Sequence, residues 1–482
     1  MHGAKKEESS FSSSNRGRIL KEECGVVGVY SFDGKDAAPL IFYSLYSLQH
    51  RGQESCGITI IDDKLETKKG MGLVADVFDF DKLSALEGYF GVGHVRYSTC
   101  GESKLENAAP FVVSHSQGYL AIGHNGNIAN SQDIKSGLED LGEVFVSTTD
   151  TEVIAHLIVR GFVKTGDLVS SIQEAMRRLS GSYSLAIATR DSIIGVRDPL
   201  GIKPLSLGRI DDTYIIASES VAFDSIGAKL IRDVEPGEII VIDKDGLRSY
   251  RGLRRTKTAH CMFEYVYFSR PDSILDGKLV YSVRERIGEK MAEVDDVDVD
   301  FVMAVPDSAI PFALGYAKKR GLPYREGLIK NRYVGRTFIL PKQTARELAV
   351  RVKLNPLTAN VKGKRVVLFD DSIVRGTTSA RLIQILKDAG AKEVHMRIGS
   401  PPIISPCFLG IDMPTKEELI ASIKDVEKVR EKIGADTLKY LSLEGLMGAI
   451  GKDENQLCMG CLTENYPIPT DQREQEKLVK YL

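Results

Sequence analysis

The chain has 482 residues, of which 43% are hydrophobic, and its formal net charge is −2. That length admits about two to four domains with full cores, and so small a charge argues against a large nucleic-acid surface. No apolar run reaches the roughly 18 residues of a membrane helix, and residues 1–23, rich in Ser, Lys and Glu, lack the apolar core of a secretory signal. The chain therefore reads as cytoplasmic, with no membrane or nucleic-acid partner. Thiols stay reduced there, so its seven Cys are expected to be catalytic, metal-binding or buried rather than disulfide-paired.

Residues 1–23, with Ser9, Ser10, Ser12, Ser13 and Ser14 close together, read as a flexible leader. Cys24 follows at once, and Gly25–Tyr30 reads as a strand. Four ordered segments then stand at strand ends or turns, where functional side chains are commonly displayed. They are Gln49-His50-Arg51-Gly52-Gln53-Glu54, Gly93-His94-Val95-Arg96-Tyr97-Ser98-Thr99, Gly123-His124-Asn125-Gly126-Asn127 and Thr148-Thr149-Asp150-Thr151-Glu152. If the leader is removed, Cys24 becomes the first residue, and its own α-amine, of reference pKa about 7.7–8.0, can act as base for the thiol. No separate catalytic histidine is then required. His50, His94 and His124 read as packing or hydrogen-bonded loop residues.

Helical spacing predicts helices over Glu152–Phe162 and Asp167–Leu179, followed by strands at Tyr183–Ala188, Ile193–Val196, Tyr214–Ala217 and Glu238–Ile242. The segments Arg197–Pro204 and Ala217–Ser220 read as turns between strands. The basic stretch Arg251–Lys257 is the best domain boundary, dividing the chain into a leader at 1–23, a first domain at 24–255, a second at 256–450 and a C-terminal segment at 451–482. Beyond it, Asp300–Val305 is an apolar strand running into Pro306-Asp307-Ser308, where Ser308 on its residues alone reads as a plain helix cap. Lys330–Phe338, with Pro341-Lys342-Gln343 and Arg346, is either a solvated loop or a basic lid that closes over an anion.

The most informative stretch is Val366–Ser379. Four apolar residues, Val366 to Phe369, predict a buried strand of a parallel sheet, and Thr378–Ala389 predicts a helix that ends at Gly390. Asp370 and Asp371 then stand at the carboxyl end of the strand, and the amides of Arg375, Gly376, Thr377, Thr378 and Ser379 fall at a helix start that favours an anion. Paired carboxylates beside a phosphate cradle suit a ribose 5-phosphate, whose hydroxyls, or a divalent cation bound to them, the acids can hold. The alternative is an ordinary strand-to-helix turn with an Asp or Ser cap. Finally, Cys458-Met459-Gly460-Cys461 is a C-x₂-C pair, with Cys407 and Cys261 as distant companions; tetrahedral zinc or a redox pair fits it equally. Cys56 and Cys100 read as small buried side chains.

Two resemblances cover nearly the whole chain from Cys24 to about Tyr466. Cys24 with the four ordered segments resembles the glutamine amidotransferase domain of the N-terminal-nucleophile class. FDDSIVRGTTS, at Phe369–Ser379, resembles the phosphoribosyl pyrophosphate (PRPP) loop of type I phosphoribosyltransferases in the form seen in amidophosphoribosyltransferases. The implied fold is a mixture of α+β and α/β: an αββα glutaminase domain followed by a phosphoribosyltransferase domain with a parallel sheet.

The resemblance implies a glutamine-dependent glycosyltransferase that opens purine biosynthesis, with glutamine and PRPP as substrates. It makes Cys24 the nucleophile and assigns Asn125 and Gly126 to the oxyanion, Arg96 to the glutamine carboxylate and Asp150 to its ammonium. PRPP falls to Asp370, Asp371, Ser372, Arg375 through Ser379 and Lys330, with Mg²⁺ on Ser308, Asp370 and Asp371. Residues 330–346 correspond to the loop that orders over PRPP. One subgroup of the family carries a [4Fe–4S] cluster on cysteines in the contexts of Cys261, Cys407, Cys458 and Cys461. Purine nucleotides are expected as feedback inhibitors, and a homo-oligomer, often a tetramer, as the assembly. A non-catalytic PRPP-sensing regulator would explain the Asp-Asp loop but leave the glutaminase segments without purpose; a sugar-phosphate amidotransferase would share only the first half.

Overall fold

The computed structural model describes residues 24–62, 64–97, 103–253, 255–331, 354–413 and 415–469. The leader, Ser98, Thr99, Cys100 and most of the basic stretch expected to close over PRPP, from Arg332 through Arg346, lie outside the described residues.

The first half is built on two antiparallel sheets. One has seven strands in the spatial order Lys229–Asp233, Ser206–Ile210, Thr213–Ala217, Gly25–Ser31, Phe90–Arg96, Ser55–Ile61 and Leu65–Met71. The other has six, in the order Gly246–Arg251, Glu238–Asp243, Ser192–Arg197, Gly181–Ala188, Gly118–Ile128 and Phe111–His115. Because side chains alternate along a strand, each central strand serves two cores. Val27 and Val29 face the helix Ala37–Ser47, packing with Ile41 and Leu45. Val26 and Tyr30 point the other way, into a layer shared with Ala121, Ala186 and Ile193 of the second sheet. That sheet's far face, with Ile122, Leu185 and Ile194, is covered by Ile154, Ile158 and Ile172 from the helices Asp150–Thr165 and Leu168–Arg178. The result is the expected αββα stack, and both helices and all four strands foreseen here are present within three residues of the expected ends.

The second half holds a four-stranded parallel sheet in the order Phe301–Ala304, Arg365–Asp370, Glu393–Ile398 and Thr437–Tyr440. Its apolar strands are buried on both faces, as parallel strands must be. Met303 and Leu368 pack against the helix Thr377–Asp388, while Val302, Val367 and Phe369 pack against the helices Val280–Glu293 and Ile310–Arg320. The latter core runs on without interruption through Leu200, Ile202, Leu409 and the tail residues Leu457 and Leu462, so the two halves share one apolar seam.

Candidate active sites

Cys24 stands at the head of a central strand, where Gly25 pairs with Val95 and sets the cysteine beside the end of the strand carrying Arg96. A single cavity is lined by Cys24, Arg96, Gly126 and Asp150, together with His94, Tyr97, Asn107, His124, Thr149 and Thr151. All five residues assigned to the glutaminase step therefore lie at or beside one place, Asn125 preceding Gly126 on the same strand. Burial pushes the Cys24 thiol up to about 11, its contact with the Tyr97 carbonyl oxygen and the Arg96 charge offsetting only part of this. Roughly one thiol in ten thousand would be ionised at pH 7 without a local base.

Asn125 is fully buried, and neither its Nδ2 nor its Oδ1 has a hydrogen-bond partner. Buried amide groups are rarely left so. Gly126 adopts φ +148°, and a Cβ there would lie 2.1 Å from the Ser182 carbonyl oxygen, so only glycine fits. Asp150 accepts from the Ile128 amide at 3.0 Å; burial, which alone would raise its pKa, is outweighed by His124 and by backbone donors, so the carboxyl stays below its ordinary range. Arg96 donates to Glu54 Oε1 at 2.6 Å.

Arg51 is buried. Its Nε donates to the Cys24 carbonyl at 3.2 Å, and its other nitrogens reach Glu219 and, at 2.6 and 3.0 Å, Glu264 of the second half. Of the histidines, His50 bonds Glu219 at 2.7 Å and His94 Nε2 donates to the His124 carbonyl at 3.0 Å. Arg197, Asp198 and Lys203 are buried in the turn expected there, Asp198 accepting from the amides of Leu200, Ile202 and Lys203.

At the second site the strand ends on Asp370, as expected, and the helix begins at Thr377 after Gly376 in the left-handed region, φ +76°. The first amides of that helix have no intrahelical acceptor; Thr377 and Thr378 are exposed and Ser379 is buried. Asp371 accepts from Ser308 Oγ and Ser372 Oγ, each at 2.7 Å, while Asp370 accepts from the Asp371 amide at 3.0 Å. Ser308 is thus no helix cap, Ala309 holding that position. Burial raises both carboxyl pKa values, and the charge of Asp371 adds to the rise at Asp370. That chemistry fits a divalent ion. Lys330 Nζ is bound to Asp307 at 2.6 Å, and Arg375 to Glu418 at 2.8 Å.

Cys261 and Cys407, distant in sequence, lie near the Cys458–Cys461 pair, all three other thiols acting on Cys461. Cys261 and Cys458 pair in adjacent parallel strands, the Cys461 carbonyl accepts from the amides of Ile404 and Ser405 at 3.0 and 3.1 Å, and Cys407 Sγ accepts from Leu409 N at 3.3 Å. Burial pushes Cys458 up to about 12 and Cys461 well above its ordinary value, and the charges of neighbouring thiols add to both. Among the described residues no three His, Cys, Asp or Glu converge on a single ion. Four thiolate donors are of the soft kind that both zinc and an iron–sulfur cluster take, so the donor chemistry fits either.

Sequence reasoning assigned no role to Glu54, Ser182, Glu219, Glu264 or Arg284. Glu264 carried a signal: a lone carboxylate in the apolar run Cys261–Phe268 requires a buried partner. Ser182 carried none, since its contacts are made only by the fold.

The glutamine amidotransferase domain family matches residues 94–225 and the phosphoribosyl transferase domain family residues 272–398. The chain is 52% identical to an amidophosphoribosyltransferase of Archaeoglobus fulgidus over 94% of this chain and 100% of that one. It is 49% identical to that of Bacillus subtilis over 93% and 94%. Its fold superposes with TM-score 0.87 on the glutamine PRPP amidotransferase of B. subtilis solved with ADP and GMP, at 47% identity over 93% and 98% of the two chains. A structure described as the allosteric regulatory enzyme of purine biosynthesis agrees with TM-score 0.88, also at 47% identity, over 93% of this chain and 97% of that one. With two such domains in this order and relatives matched almost end to end, the chain belongs to the amidophosphoribosyltransferases.

Proposed function

We propose that the chain converts PRPP, glutamine and water into 5-phosphoribosylamine, glutamate and pyrophosphate. Once residues 1–23 are removed, the freed α-amine of Cys24 takes the thiol proton and the sulfur attacks the glutamine side-chain amide. The Asn125 side chain and the Gly126 N–H stabilise the tetrahedral oxyanion. Arg96 receives the α-carboxylate, exchanging Glu54 for it or sharing it, and Asp150 the α-ammonium. Ammonia leaves, and water releases glutamate from the sulfur.

In the second domain Asp370 and Asp371 orient the ribose hydroxyls, while Ser372 and Arg375 through Ser379 hold the 5-phosphate. Lys330 and Ser308 serve the pyrophosphate end. Mg²⁺, held by Ser308, Asp370 and Asp371, would neutralise charge on the departing pyrophosphate. Ammonia passes between the sites under cover, since in water it would protonate and lose its nucleophilicity. The domain limits proposed are 24–255, 256–450 and 451–482.

Cys261, Cys407, Cys458 and Cys461 are proposed to hold a [4Fe–4S] cluster that ties the tail to both halves. A relative solved with ADP and GMP supports restraint by purine nucleotides. A homo-oligomer in the cytoplasm completes the proposal.

The observation that carries this reading is the unpartnered Asn125 amide beside the cavity that contains Cys24. The test is PRPP-dependent glutamate release. Cys24→Ala should abolish glutamine use and spare ammonia-dependent phosphoribosylamine formation. PRPP binding with neither activity would identify a regulator instead.

A further inference from the structure

The strand end that carries Asn125 and Gly126, the oxyanion turn below, is not held by the glutaminase half alone. Asn127, next to Gly126, donates from Nδ2 to the Phe408 carbonyl at 2.9 Å. Ser182, fully buried beneath the turn, donates to the Leu409 carbonyl at 2.8 Å and accepts from the Asn127 amide at 3.3 Å. Gly410 then closes on the turn itself: an added Cβ would lie 3.0 Å from the Gly126 carbonyl carbon, and its φ is +98°. The segment Phe408–Gly410 belongs to the second half, in the loop that leaves the parallel sheet where the Ser400 amide donates to the Asp371 carbonyl at 2.9 Å. One stretch of chain therefore begins against the diacid turn and ends against the oxyanion turn.

We propose that Ser182 and Asn127 are positioning residues for glutamine hydrolysis, aiming the Asn125 amide and the Gly126 N–H through their bonds to the Phe408 and Leu409 carbonyls. The physical argument is one of preorganisation. An oxyanion donor is worth most when it cannot reorient at the moment charge develops, and Gly126, having no side chain, cannot hold its own peptide plane. Neither Ser182 nor Asn127 is among the residues that line the cavity, and both are turned toward the Phe408–Leu409 carbonyls. Their effect should therefore fall on the transition state and leave ground-state binding alone. The inference rests on the glutaminase role proposed above for Asn125 and Gly126.

The test is steady-state kinetics of the full-length processed enzyme with glutamine and, separately, with ammonium as nitrogen donor. Ser182→Ala and Asn127→Ala should each lower glutamine-dependent kcat by about tenfold or more, with KM for glutamine changed by less than about twofold. Ammonia-dependent turnover should stay within about twofold of the parent. Ser182→Thr, which keeps the hydroxyl, should recover most of the loss. Gly410→Ala, which presses on Gly126 from the far side, should reproduce the same split should Ser182 variants fold poorly. Unchanged glutamine kcat, or a parallel fall of both activities, would overturn the inference. If the parent enzyme itself released no glutamate, the proposed glutaminase role would fail first and this inference would fall with it.

Discussion

Asn125 keeps two polar atoms unsatisfied in a fully buried site, an arrangement that costs about 1–3 kcal/mol and is retained where strain serves chemistry. Asn125→Ala should therefore leave the melting temperature unchanged or raised while lowering glutamine-dependent kcat by about 10²–10³; a calorimetric scan beside the kinetics checks both. The diacid turn makes a parallel case. Burial raises both pKa values, so the folded state favours the protonated pair. The stability this contributes is present at acid pH and is lost as pH rises through the raised values. Asp370→Asn should thus stabilise the protein at pH 8 more than at pH 5 while removing PRPP binding. Binding of Mg²⁺ and PRPP to the parent should release protons, read as a dependence of calorimetric heat on buffer ionisation enthalpy; zero release would refute it. The Asp-Asp pair and Cys24 stand out in the sequence because the chemistry proposed for them is carried by residue type. Glu54, by contrast, meets Arg96 only through strand pairing, which puts Ser55 opposite Arg96.

At the scale of elements, the segment Glu264–Phe268 is a π-helical turn, a form common at functional sites. Its first residue binds Arg51, and its end is capped by Arg284, which donates to the carbonyls of Tyr265, Tyr267 and Ser269 at 2.9, 3.0 and 2.7 Å. No periodicity in the sequence announces a π turn, whereas the helices and strands around it follow 3.6- and 2-residue patterns. A second buried pair, Arg397 with Asp295, joins the parallel sheet to the end of the helix Val280–Glu293, and Tyr316 donates to the same carboxylate at 2.8 Å. Asp295→Asn leaves a guanidinium buried without its counter-charge and should cost about 3–5 kcal/mol, measured by urea unfolding. A loss below about 1 kcal/mol would mean that water or another carboxylate replaces it.

At the scale of the molecule, the architecture was legible because each half repeats its own pattern: antiparallel strands with alternating faces, then apolar parallel strands with helices between. The joint was not. The convergence of Cys261, Cys407, Cys458 and Cys461 depends on a two-strand bridge between His260–Cys261 and Leu457–Cys458 that only the fold creates. Protein purified without oxygen should hold about four iron and four sulfide per chain with a broad visible absorption. Zinc alone, or no metal, would refute the cluster. Cys458→Ser should lower iron content and loosen the tail, read as faster proteolysis beyond Gly451.

The glycine at position 410 has a consequence for anyone who treats the halves as interchangeable parts. Hybrid proteins joining this amidotransferase module to a foreign sugar-phosphate partner would inherit Cys24, yet arrive without the carbonyls that Asn127 and Ser182 grip. Such hybrids are expected to hydrolyse glutamine sluggishly until residues 408–410 are grafted along with it.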